Sequence, residues 1–161
     1  MEHFDIITVG NTRLYNLINS EDINLTNAFL SSFKELYFFP IITDGYFAYE
    51  IEEMTVNNND IVVDCGGNLG LFAAWAESQG AKVYSFEPSF GTINFLYKMK
   101  QLHPNIIVEQ KAVGDFCSTI EFTECYFSCG SHLAKIDIND SCIPKEKYPV
   151  EMITLDNYFS D

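Results

Sequence analysis

Basic residues are scarce: nine lysines and arginines stand against 23 aspartates and glutamates, a net charge of −14 over 161 residues. A protein that grips a phosphate backbone needs a basic footprint, so this balance argues against nucleic acid as a partner. It argues equally against docking on an anionic membrane surface. Long apolar runs are missing too, and none approaches the roughly 20 residues of a membrane-spanning helix. Behind Met1 come Glu2, His3 and Asp5, not the basic and then apolar stretch of a secretory leader. A cytoplasmic protein is expected, and the Asn24-Leu25-Thr26 sequon is then an accident of composition.

A disulfide framework is also lacking. The five cysteines, at 65, 117, 125, 129 and 142, are odd in number and irregular in spacing. Cys125, Cys129 and His132 lie close together but supply only one half of a zinc site. Reduced thiols and no metal are the simpler expectation.

Apolar residues are plentiful, with 47% hydrophobic and 15% aromatic. That is enough for a core and argues against disorder. The length favours one domain of about 100–200 residues. Residues 1–20 carry little signal. From Asn24, the positions of Leu25, Ala28, Phe29, Phe33, Leu36 and Tyr37 have helical spacing up to Pro40. Asp44-Gly45 marks a turn before a strand-like Tyr46–Met54. After the Asn57–Asp60 loop, Ile61-Val62-Val63 reads as a strand buried on both faces, as in a parallel sheet.

Next comes a helix, Leu69 to Glu77, with Leu71, Phe72, Trp75 and Ala76 offering apolar groups and Gly80 as its stop. Lys82–Phe86 is a second strand. Ser89 can cap a further helix to about Leu102, with Phe90, Ile93, Leu96 and Tyr97 inside. Ile106 to Val108, continuing towards Val113, is a third strand. Residues 60–115 thus spell β-α-β-α-β, the unit of a doubly wound sheet. Thr119–Cys125 and Val150–Leu155 are further strands, separated by a long loop at 126–149.

The informative segment is Asp64-Cys65-Gly66-Gly67-Asn68-Leu69-Gly70, set between a strand and a helix. Glycine there allows a sharp turn and a close ligand approach, and ligands lie at the carboxyl ends of parallel strands. Glu87 ends the next strand, where a carboxylate can accept from both ribose hydroxyls. Two cofactors suit this geometry. A dinucleotide fingerprint fails at its first glycine, because position 65 is Cys. S-adenosyl-L-methionine is favoured, since its sites often carry an acidic strand end followed by a glycine loop.

Ile61 to Gly70 resembles motif I of the FkbM-type methyltransferases, S-adenosylmethionine-dependent enzymes of the class I Rossmann-like fold. Asp60, Phe86-Glu87-Pro88, Ala112-Val113-Gly114-Asp115 and Ile153-Thr154-Leu155-Asp156 extend the resemblance, in order, over about residues 46–161. It implies that Asp64, Gly66, Gly67, Asn68 and Gly70 line the methionine end of the donor. Glu87, next to Pro88, would hold the ribose, and Ala112, Val113 and Asp115 would border the adenine. Gly67 stands where the family commonly has Ala. Asp156 reads better as a helix cap than as a catalytic group, and Ser131 and His132 better as a surface loop than as part of the acceptor site. No catalytic base is assigned.

The family pattern continues past its Leu-Asp segment with a strand bearing Lys-x-Asp-x-Glu-Gly, which this sequence does not include. The expectation is therefore an incomplete α/β Rossmann-like methyltransferase domain at 46–161, preceded by an N-terminal helical segment at 1–45 that also bears strand. Its first strand would be left at a sheet edge, inviting self-association. The implied activity is O-methylation of a small-molecule or glycan acceptor. The alternatives are a dinucleotide-binding oxidoreductase fragment and a non-catalytic partner subunit.

Overall fold

The structure, a computed structural model, describes residues 4–18, 20–22, 26–30, 55–126, 132–133 and 143–160. The first elements are strands, in the stretch that carries little sequence signal. Ile6–Val9 (β1) and Thr12–Tyr15 (β2) form an antiparallel hairpin. Residues 26–30 are helical, while the rest of the expected helix to Pro40 and the strand at 46–54 lie outside the described residues.

The β-α-β-α-β unit is present. Ile61–Cys65 (β3), Lys82–Phe86 (β4) and Ile106–Glu109 (β5) form a parallel sheet in the order β3-β4-β5. Leu71–Ser78 (α1) and Ile93–Leu102 (α2) make the crossovers. Two right-handed crossovers stepping in one direction place both helices on the same face. There Ala73, Ala76, Ile93 and Leu96 meet Val83, Ile106 and Val108. Burial of each larger aliphatic side chain contributes about 1.5–3 kcal/mol. On the outer side of the helices, Leu14 and Leu17 join Ala28, Phe29, Leu71, Ala74 and Met99 in a second cluster. His103 locks these layers together: its Nδ1 lies 2.9 Å from Glu77 Oε2 and its Nε2 2.6 Å from the Arg13 carbonyl.

One expected inner face is corrected. Phe90 and Tyr97 are exposed, and Met99 takes the inward place with Ile93 and Leu96. On α1, Phe72 and Trp75 are half-buried and pack against these clusters, with Ala73 and Ala74 sitting deeper.

β3 is not buried on both faces. Ile61 is 68% and Val63 37% exposed. The reason is position: among the described residues β3 is paired only with β4, and the face opposite the helices is covered mainly beyond it. There Tyr158 and Phe159 pack edge-on against Tyr84 and Phe86, with Tyr158 5.0 Å from Phe86 and Phe159 5.0 Å from Tyr84. These two aromatics come from and just after a last short helix, Leu155–Tyr158 (α3). Its cap is Thr154, whose Oγ1 accepts from Asn157 N, and Asp156 is in the first turn instead of the expected cap position.

A second sheet holds Ala112–Val113 (β6), Ser118–Cys125 (β7), His132–Leu133 (β8) and Pro144–Ile153 (β9) in the order β6-β9-β7-β8. The third strand therefore does not run on to Val113. The chain breaks at Gln110-Lys111, and β6 pairs in parallel with Met152 and Ile153 of β9. β9 starts within the supposed long loop, because β7 templates it back to Pro144. Pro149 is tolerated, since β6 pairs only further along and leaves β9 one neighbour there. The thiol expectation also changes. Cys125 is disulfide-bonded, to a partner outside the described residues, while Cys65 and Cys117 are free. Among the described residues, no helix is long and apolar enough to cross a membrane.

Candidate functional site

The glycine loop and Glu87 meet. Gly66 (φ 95°), Asn68 (φ 49°) and Gly70 (φ 81°) all take left-handed backbone conformations, which coil residues 66–70 back over the end of β4. For Gly66 and Gly70 the missing Cβ removes the steric penalty. Gly66 N and Gly67 N donate to Phe86 O at 2.8 and 3.0 Å, and Gly70 N to Gly67 O at 2.8 Å. Asn68 N donates to Glu87 Oε2 at 2.7 Å. Glu87 Oε1 accepts from Ser89 N at the same distance. The carboxylate is thus fixed from both sides, yet its roughly four lone-pair sites are not exhausted by two amides.

Asp64 is turned under the loop, where it accepts from Ser85 Oγ at 2.7 Å. Burial pushes the Asp64 carboxyl up to about 6, the Ser85 hydrogen bond working the other way. Burial likewise raises Glu87, and the amides of Ser89 and Asn68 offset only part of it. The Cys65 thiol is raised by burial and by the Asp64 charge. Gly67 is required by packing: a Cβ would lie 2.1 Å from Ser85 Oγ and 3.0 Å from Leu96 Cδ2. At Gly66, by contrast, nothing among the described residues lies within 4 Å of a Cβ position, so they leave open space there. Asn68 Oδ1 is buried and has no hydrogen-bond partner among the described residues.

Of the expected site residues, the structure brings together Asp64, Gly66, Gly67, Asn68, Gly70 and Glu87, with Pro88 half-buried beside them. Ala112 and Val113 lie instead in the second sheet, paired with β9. Asp115 is exposed beyond them, and among the described residues it makes no hydrogen bond or ion pair to the loop. Ser131 and the His132 side chain lie outside the described residues. Cys125 is no candidate zinc ligand, because its sulfur is in a disulfide.

Sequence reasoning missed Ser85, Ser89, Glu124 and Tyr148. A serine inside the otherwise apolar run Val83–Phe86 was the only signal for the first.

Chemically, the described residues gather acceptors here without a cation: two carboxylates, and an amide oxygen that none of them pairs. Four of the loop N–H groups are already spent inside the protein. Such a site suits a ligand that brings hydroxyl or ammonium donors and positive charge. It does not offer the free amides that a pyrophosphate takes. No protein-family model matches the chain, and no curated protein matches it in sequence.

Proposed function

We propose that this chain binds S-adenosyl-L-methionine on the 66–70 loop and belongs to the machinery of methyl transfer to a hydroxyl of a small molecule or glycan. The observation that carries the reading is the direct bond between Asn68 N and Glu87. It sets a glycine turn and a ribose-type acceptor side by side at the carboxyl ends of parallel strands. In this reading Glu87 accepts from the ribose hydroxyls. Asn68 Oδ1 and Asp64 face the cationic methionine end, and the open space at Gly66 admits it. The bound donor would supply an electrophilic methyl group on sulfonium, displaced in line by an acceptor oxygen. Asp64, Asn68 and Glu87 bind and orient.

Titration calorimetry of the whole chain tests this. Wild type is expected to bind S-adenosyl-L-methionine and to ignore NAD. Glu87→Ala is expected to weaken the methyl donor about 10- to 100-fold, the loss of charge-assisted hydrogen bonds. Tighter binding of NAD, or an unchanged affinity in Glu87→Ala, would overturn the reading.

A second reading, a partner subunit, is favoured by β3 itself. Among the described residues, its exposed Ile61 and Val63 sit on an edge that carries no proline and no outward charge, the usual protections against strand addition. Under it, the mass measured by light scattering rises with concentration, and Val63→Lys holds the protein monomeric. A wild type that stays monomeric at every concentration would count against it.

A further inference from the structure

The loop that follows Glu87 is held from a distance by the second sheet. Glu124, on β7, is a carboxylate only 4% exposed, and burying such a charge costs several kcal/mol unless it is well paired. Its partners converge on one place. Oε2 accepts from Ser89 Oγ at 3.2 Å, from Gly91 N at 3.2 Å, and from the Tyr148 hydroxyl. Lys145 Nζ reaches Oε1 at 3.3 Å. The Tyr148 hydroxyl in turn accepts from Phe90 N at 2.9 Å, and the two rings pack 4.4 Å apart. Residues 89, 90 and 91 are therefore each fixed by a second-sheet side chain. The fit is close, since a Cβ on Gly91 would lie 2.5 Å from Glu124 Oε1.

Ser89 transmits this to the site, because its amide holds Glu87 Oε1. We infer that Glu124 and Tyr148 are positioning residues, which set the affinity for a ribose-bearing ligand by fixing the Ser89 amide against Glu87. The inference rests on the proposed role of Glu87. Simple adhesion between the sheets would be served as well by an apolar pair. A carboxylate is needed here because residues 89–91 present one hydroxyl and one amide to it together. Without those bonds the loop must be ordered when the ligand arrives, and that entropy is subtracted from binding. The Glu124 carboxyl fits the arrangement: burial works to raise it, but hydrogen bonds from Tyr148 and Lys145 outweigh that and hold it below the ordinary range.

The test uses the whole chain and four variants: Tyr148→Phe, Glu124→Leu, Glu124→Gln, and Lys147→Ala as a control on the same hairpin. Amide spectra and the carboxyl titration of Glu87 are recorded without ligand, alongside urea stability and calorimetry with S-adenosyl-L-methionine. Tyr148→Phe and Glu124→Leu are expected to move the Ser89 amide and the Glu87 titration, and to weaken the donor about tenfold in protein that remains folded. Glu124→Gln keeps the acceptor oxygen and is expected to restore most of the affinity. Lys147→Ala, which removes only an exposed pair with Glu121, should change none of these. An unmoved Ser89 amide and Glu87 titration in folded Tyr148→Phe would overturn the inference. So would an affinity that falls only with the folded fraction. Wild type that fails to bind while the Ser89 and Glu87 signals still move would count against the donor reading and support the positioning role.

Discussion

Gly67→Ala is expected to destabilise the protein by about 2–3 kcal/mol. The added methyl would lie 2.1 Å from Ser85 Oγ. Ser85 is fully buried, and its hydroxyl is committed to Asp64 at 2.7 Å. Turning it aside leaves a buried carboxylate without that donor, so neither the clash nor its relief is cheap. Leu96 on α2, at 3.0 Å from the same Cβ position, blocks escape in the other direction. The hydroxyl of this chain fills the space that an alanine methyl would take. Urea unfolding of wild type, Gly67→Ala, Ser85→Ala and the double variant would show this as a coupling. The double variant should be more stable than the sum of the single losses by at least about 1 kcal/mol. Additive losses would mean that Ser85 does not occupy the place described.

The same pair shows what the sequence carried and what it did not. The β3-α1-β4-α2-β5 order was legible because Gly66-Gly67 after β3, Gly80 after α1, Pro88 after β4 and His103-Pro104 after α2 punctuate the chain locally. The meeting of the glycine loop with Glu87 followed from that order, since both end adjacent parallel strands. Contacts set by distant residues were not legible. The exposure of Ile61 and Val63 depends on which strand stands beside β3, and an apolar run reads the same at an edge or in the middle. The burial of Glu124 depends on Tyr148 and Ser89, far along the chain. β7 alternates in sequence, yet Phe122, Thr123, Glu124 and Cys125 are all buried. The start of β9 was hidden by its two prolines, which pairing with β7 accommodates. Asp156 was a good cap by type, but Thr154 reaches the free amide first.

Asp64→Asn is expected to make the protein more stable at neutral pH while costing it the ligand. Unfolded, Asp64 titrates near its ordinary 3.8; folded, burial holds it at about 6. Between those values the unfolded chain releases the proton and the native protein keeps it. Stability from this group is therefore full below about pH 4, falls as the pH rises towards 6, and is then lost. The difference corresponds to about 3 kcal/mol at most. An asparagine carries no charge to bury, and its carbonyl oxygen can still accept from Ser85. The variant should gain about 2–3 kcal/mol at pH 7 and lose most of the slope between pH 4 and 6. A residual slope should remain from Glu87, which burial also raises. Urea unfolding at half-unit steps of pH measures both. The wild-type slope persisting in Asp64→Asn, or a variant weaker than wild type at pH 7, would refute the argument. An uncompensated charge beneath a glycine loop is a standing cost to the fold, and such costs are tolerated where a ligand repays them. Calorimetry on the same variant therefore completes the case: stability should rise as affinity for the cationic methyl donor falls.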